Sequence, residues 1–194
     1  MIARQPSSRL YATLPQIWLL TDERMDEPPA AAAARLPKGR AGIIFRHYAT
    51  DKALRKMLFN QLRRVARARR LPLLLAGSPA QARAWRADGW HDNERAHPFR
   101  APPALLHSRS AHGMSGLIGA ARAGADFILL SPVFPTRSHP GTRTLGPLRL
   151  ALLARQAKQP VIALGGMNKR RFAAVRRANI HGYAAIDALT RSAG

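Results

Sequence analysis

Residues 127–146 read Phe127-Ile-Leu-Leu-Ser131-Pro-Val-Phe-Pro-Thr136-Arg137-Ser138-His139-Pro-Gly-Thr-Arg143-Thr-Leu-Gly146. The apolar run Phe127 to Leu130, flanked by Ala125 and Asp126, reads as a strand buried on both faces, the habit of a parallel sheet. Three prolines and two glycines between Ser131 and Gly146 then forbid regular structure, while hydroxyls and basic groups crowd the same loop. A long loop of that composition on the end of a buried strand is usually functional.

The pattern repeats outward in both directions. Downstream, Gly146 to Lys158 reads as a helix with Leu148, Leu152 and Leu153 on its buried side. Pro160 to Leu164 is a strand, Asn168 caps a helix through Ala178, and Gly182 to Ile186 is a last strand. Upstream, Met114 to Ala123 is a helix behind a strand at Leu105 to Ser108. The Pro-rich piece His97 to Pro103 replaces a long helix after the short strand Gly89 to His91. Further back, Ala80 to Arg86 is helical behind the strand Pro72 to Ala76.

Thr50 or Asp51 caps a helix to about Arg70, with Leu54, Met57, Leu58, Leu62, Val65 and Ala66 as its apolar stripe. Its other face, Lys52, Arg55, Lys56, Arg63, Arg64, Arg67 and Arg70, reads as solvated. Gly42 to Arg46 and Ile17 to Thr21 are strands, joined through an alanine-rich helix between Pro28 and Leu36. Eight strands alternating with helical segments predict an α/β fold, a closed (β/α)8 TIM barrel. At 194 residues the chain is shorter than the usual ~250, so its helices must be short or missing. An open doubly wound sheet would carry a Gly-x-Gly-x-x-Gly turn after the first strand, and none is present.

Composition narrows the function. One domain over 1–194 is expected, with 1–15 a poorly ordered N-terminal extension, and a hydrophobic content of 46% supports a sizeable core. No apolar run approaches ~18 residues and Met1 to Gln16 has no apolar signal core, which points to a cytoplasmic protein without a membrane span. Without cysteine there are no disulfides, thiolate metal sites or cysteine nucleophiles. The balance of 32 basic to 10 acidic residues, net +22, suits phosphorylated ligands. Nucleic acid is not the expected partner, since no aromatic residues interleave the arginines of the long helix.

In such a barrel the chemistry sits at the carboxyl ends of the strands, with phosphate near the seventh and eighth. Gly165-Gly166 follows the seventh, where backbone N–H groups can approach an anion, and Asn168 starts a helix pointing the same way. Arg46 ends the second strand. Ser110 and His112 follow the fifth, with His112 suited to proton transfer near neutral pH. No acid completes a serine triad, and no His-Asp-Glu cluster has metal-ligand spacing.

Pro132-Val-Phe-Pro-Thr136 followed by Ser138, then Leu145-Gly146, resembles the sixth-strand loop of thiamine phosphate synthases. Val161-Ile-Ala-Leu-Gly-Gly-Met167 resembles their seventh-strand signature. Trp18-Leu-Leu-Thr-Asp22, Gly89-Trp-His91 and Ser110-x-His112 fall in matching order. The related thiazole tautomerases share the barrel, and Arg109-Ser110-Ala-His112 is as close to their pattern.

The resemblance implies that a hydroxymethylpyrimidine diphosphate loses Mg²⁺-bound pyrophosphate and that a thiazole phosphate captures the ring cation. It assigns Arg46 to the pyrimidine side, Ser110 to pyrophosphate, and Thr136 and Ser138 to the sixth-strand hydroxyls. Gly166 falls to the thiazole phosphate, with Gly165, Arg137, His139, Ile186 and Asp187 alongside, and His112 to a tautomerase's proton shuttle.

The departures concern charge. Tyr48 stands where the synthases carry a lysine, Ala76-Gly77 where they carry Asn-Asp, His139 for a loop lysine, and Asp187 for a serine. Asp92 and Glu94 are the remaining metal-ligand candidates near the fourth strand. Three activities stay open: a divergent synthase of impaired activity, a metal-free tautomerase using His112, and a barrel that binds phosphorylated ligands or nucleic acid without catalysis.

Overall fold

The structure, a computed structural model, describes residues 13–93, 105–136 and 141–190. Eight parallel strands close on themselves in sequence order. They are β1 (Ile17–Leu20), β2 (Ala41–Phe45), β3 (Leu73–Ala76), β4 (Gly89–Asp92), β5 (Leu106–Ala111), β6 (Phe127–Leu130), β7 (Val161–Leu164) and β8 (Gly182–Ala185). Between them lie α1 (Pro29–Arg35), α2 (Lys52–Ala68), α3 (Pro79–Ala84), α4 (Met114–Ala123), α5 (Gly146–Gln156) and α6 (Lys169–Val175). The ring closes where β1 pairs with both β2 and β8, Leu19 lying opposite Ile43 on one side and Ala185 on the other. The expected Pro-rich replacement for a fourth helix falls outside the described residues.

Alternation along each strand divides the core in two. Inside the ring, Trp18, Leu20, Ile44, Leu74, Phe127, Leu129 and Ile162 pack together. Outside it, a second set including Phe45, Phe59, Leu62 and Trp85 joins strands to helices. Trp18 fills the ring because its neighbour on β2 is Gly42: a Cβ there would meet the indole ring at 2.5 Å. The indole cannot step aside, being fully buried with its ring centroid 4.7 Å from that of Phe127. Gly42→Ala should therefore destabilise the fold by about 1–3 kcal/mol through overpacking, read as a lowered urea midpoint.

Two helices face the barrel differently from the sequence reading. In α2 the buried positions are Arg55, Phe59, Leu62 and Ala66, while Leu54 and Met57 are 45% and 49% exposed. The cause is Arg55, whose guanidinium is drawn inward by strand-end carbonyls and carries its apolar stem with it. In α5 the buried positions are Leu150, Leu153 and Ala154, leaving Leu148 and Leu152 76% and 56% exposed. There the entry of the chain sets the facing, since Leu145 N–H donates to Pro132 O and Gly146 N–H to Val133 O. The helix start is thereby fixed to the β6 loop before periodicity can act.

Candidate functional site

At the carboxyl end of the ring, β5 runs to Ala111, three residues further than its sequence suggests. Ser110 is therefore a strand residue and shares the inner face with Ser108. On β4, His91 lies directly opposite Ser108. Its Nδ1 is 2.9 Å from Ser108 Oγ and its Nε2 is 3.2 Å from Ser110 Oγ. Burial, aided by the charge of Arg46, pushes the His91 pKa down to about 3. Burial also lowers that of His47, whose Nδ1 is 2.9 Å from Thr21 Oγ1.

His91 is thus neutral in the fold and charged in the unfolded chain below pH ~6.5, and the lowered pKa of His47 acts in the same direction. The unfolded state then binds more protons, so this stability is complete above that pH and is lost as pH falls toward 3. Urea unfolding should show a decline below pH ~6.5 of up to ~1.4 kcal/mol per pH unit from His91, with His47 adding to it in the same direction. A profile flat from pH ~7 to ~5 would contradict neutral burial.

Arg46 follows β2. Its backbone N–H donates to Thr21 Oγ1 at 3.1 Å, its guanidinium donates to Asp22 at 3.2 Å, and it lies 5.8 Å from the Tyr48 ring centroid. Burial would raise the Asp22 pKa, but two hydrogen bonds from the Arg24 guanidinium and the charge of Arg46 outweigh it and hold the carboxyl below its usual value. Beneath this pair, Arg55 donates to Arg46 O and Ala76 O, tying the ends of β2 and β3 together.

A cavity of about 450 Å³ opens over β6, β7 and β8. Arg46, His112, Thr136, Gly165, Gly166, Ile186 and Asp187 all line it, together with Arg171. Ser110 does not line it; half-buried, it stands on the inner wall against His91. Arg137, Ser138, His139 and Glu94 lie outside the described residues.

Packing gives the two glycines a reason that is independent of the anion role expected for them. At Gly165, φ is +95°, and an added Cβ would come within 2.8 Å of Pro132 Cα. Val133 N–H donates to Leu164 O and Phe134 N–H to Gly165 O, so the β6 and β7 loops are laced face to face. Arg171 donates to Gly166 O and sits 4.7 Å from the Phe134 ring. Asn168 caps α6 as expected, accepting from Arg171 N–H at 2.8 Å, but the helix stops at Val175.

Asp92 departs from its expected place. Alternation turns it to the outer face of β4, where Arg109 donates to it at 2.8 Å and His107 Nε2 lies 3.3 Å away. A carboxylate so placed cannot serve a metal inside the ring. The sequence reading also missed Arg55 and His91. For His91 the available signal was a histidine on a short strand followed by a strand with serines two apart.

The sequence profile described as thiamine monophosphate synthase, TMP-TENI, matches residues 17–189. A thiamine-phosphate synthase of Salinispora arenicola is 30% identical over 192 residues, covering 94% of this chain and 92% of that protein. The thiamine biosynthesis bifunctional protein ThiED of Geobacter sulfurreducens is 28% identical over 179 residues, and this chain spans 36% of its length. The putative thiamine-phosphate synthase 2 of Aquifex aeolicus is 34% identical over 105 residues, 56% of its length. Among solved structures, thiamine phosphate pyrophosphorylase from Pyrococcus furiosus superposes with a TM-score of 0.76 at 24% identity, covering 91% of this chain and 87% of that one. That last likeness concerns the fold alone.

Proposed function

Since the chain belongs to the thiamine monophosphate synthase family, we propose that it is a transferase of thiamine biosynthesis, joining hydroxymethylpyrimidine diphosphate to thiazole phosphate with release of pyrophosphate. The observation that carries the reading is the single cavity over the strand ends into which Arg46, Thr136, Gly166 and Ile186 all face. In this reading Arg46 donates to the departing pyrophosphate, where charge develops as the C–O bond breaks, and Ser110, on the inner wall beside the cavity, joins it by resemblance. The thiazole nitrogen, its phosphate held by Thr136 and by the backbone of Gly165 and Gly166, then attacks the pyrimidine methylene cation. Arg137, Ser138 and His139 join by resemblance, on the loop that continues from Thr136.

Mg²⁺ is implied by the resemblance, but the donors among the described residues do not fit it. A hard dication requires several oxygen ligands in one place. Here β3 ends in Ala76-Gly77, Asp92 is turned outward onto Arg109, and Asp22 is engaged by two arginines. No step is assigned to a metal, and the leaving-group charge falls to Arg46 with Arg137, His139 and Arg143.

The test is a coupled assay for thiamine phosphate from both substrates, with Mg²⁺ and with chelator. Product is expected, at a reduced rate and without strict Mg²⁺ dependence; no product under either condition overturns the proposal. Asp187 supplies a second prediction. It lines the cavity where the synthases carry a serine, and its carboxylate opposes a phosphate. Asp187→Ser should tighten thiazole phosphate binding by about tenfold, equivalent to ~1.4 kcal/mol, measured by calorimetry.

One observation favours a second reading, a metal-free thiazole tautomerase: His112 lines the same cavity. His112→Ala would then abolish tautomerisation, a loss of about 10²- to 10⁴-fold, and only dent synthesis.

A further inference from the structure

We infer that His91 is a positioning residue that aims the Ser110 hydroxyl as a hydrogen-bond donor toward the pyrophosphate side of the ligand, with Ser108 setting its tautomer. This rests on the reading of Ser110 given above and extends it to two residues that touch no ligand.

Ser108 is fully buried, and His91 Nδ1 at 2.9 Å is its side chain's hydrogen-bond partner among the described residues. A buried hydroxyl left without an acceptor is costly, so the Ser108 O–H donates to Nδ1. A neutral imidazole carries one proton, which must then sit on Nε2. Nε2–H in turn donates to Ser110 Oγ at 3.2 Å. Ser110 has thereby received its hydrogen bond from below, and its own proton is left for an anion above.

The reverse arrangement would spend the Ser110 proton on His91 and leave only lone pairs facing a phosphate. It would also orphan the Ser108 proton. Both consequences select the same tautomer. The neutral state follows from burial, which is nearly complete for His91, and from the adjacent Arg46 charge.

The test has two arms on the full chain. Nitrogen NMR of isotope-labelled histidine reads the His91 tautomer directly; a neutral Nε2–H ring is expected across roughly pH 6 to 8. An Nδ1–H tautomer, or protonation within that range, overturns the inference. In the second arm, Ser110→Ala and His91→Phe should each lower the turnover number by about a hundredfold with little change in KM for thiazole phosphate. The double variant should be no slower than either single one, because both remove the same donor.

Losses that multiply would mean a merely structural role and overturn the inference. His91→Gln, whose amide can place an N–H near Nε2, should recover most of the rate and guards against a folding defect in His91→Phe. If the wild-type chain makes no thiamine phosphate, the same cycle is run on inorganic pyrophosphate affinity. The inference then stands or falls on that coupling and on the tautomer, while the functional reading alone has failed.

Discussion

Arg46→Met should lower thiamine phosphate formation by a hundred- to a thousandfold, the loss expected when one donor aimed at developing charge is removed. The side chain is held before any ligand arrives. Thr21 Oγ1 accepts from its backbone N–H, Asp22 accepts from its guanidinium at 3.2 Å, and the Tyr48 ring lies 5.8 Å away. Under the proposed chemistry such preorganisation would make its charge effective, since little reorganisation would be needed as a pyrophosphate departs.

It matters more here because, among the described residues, no three acidic or histidine side chains gather to hold a metal. Arg46→Lys should recover only part of the rate, because an ammonium cannot reproduce the planar fork that bridges Asp22 and a phosphate. Single-turnover kinetics separate this loss from weakened binding. A near-wild-type rate in Arg46→Met would remove Arg46 from the chemistry and the cationic account of the leaving group with it.

The second large effect falls on stability. Arg55→Met should destabilise the fold by about 2–4 kcal/mol, because the hydrogen bonds of a buried charged donor are lost while their acceptors remain. Arg55 donates to Arg46 O at 2.8 Å and to Ala76 O at 2.6 Å, and its guanidinium carbon lies 5.4 Å from the Trp85 ring centroid and 5.7 Å from that of Phe45. Methionine fills the stem but leaves two strand-end carbonyls without their donor. The exposed Arg64 on the same helix is the control, expected to change stability by less than about 0.5 kcal/mol on substitution. Equal urea midpoints for the two variants would show that Arg55 is as dispensable as a surface arginine. Because Arg55 grips the carbonyl of Arg46, its loss should also reduce turnover in the fraction that stays folded.

The order of elements was legible along the chain. Runs such as Phe127 to Leu130 and Leu73 to Ala76 are too apolar and too short for anything but doubly buried strands, and Asp51 and Asn168 mark helix starts by local hydrogen bonding alone. Signals of that kind act over a few residues, so the sequence carries them intact. The sixth- and seventh-strand loops likewise point to the family.

Facing was decided elsewhere. Whether Asp92 or His91 looks into the ring depends on strand parity and on which β5 residues stand opposite, and both follow from barrel closure. The same closure brings Arg55 beneath two strand ends and so rotates α2 away from its apparent stripe. The sequence by itself determined the eight-stranded α/β alternation and the family. Only the tertiary structure decided that the expected metal ligand Asp92 is spent outside the ring on Arg109 and that His91 stands beneath Ser110. The physical reason is that a strand's alternation has two phases of equal local energy, and long-range burial alone selects between them.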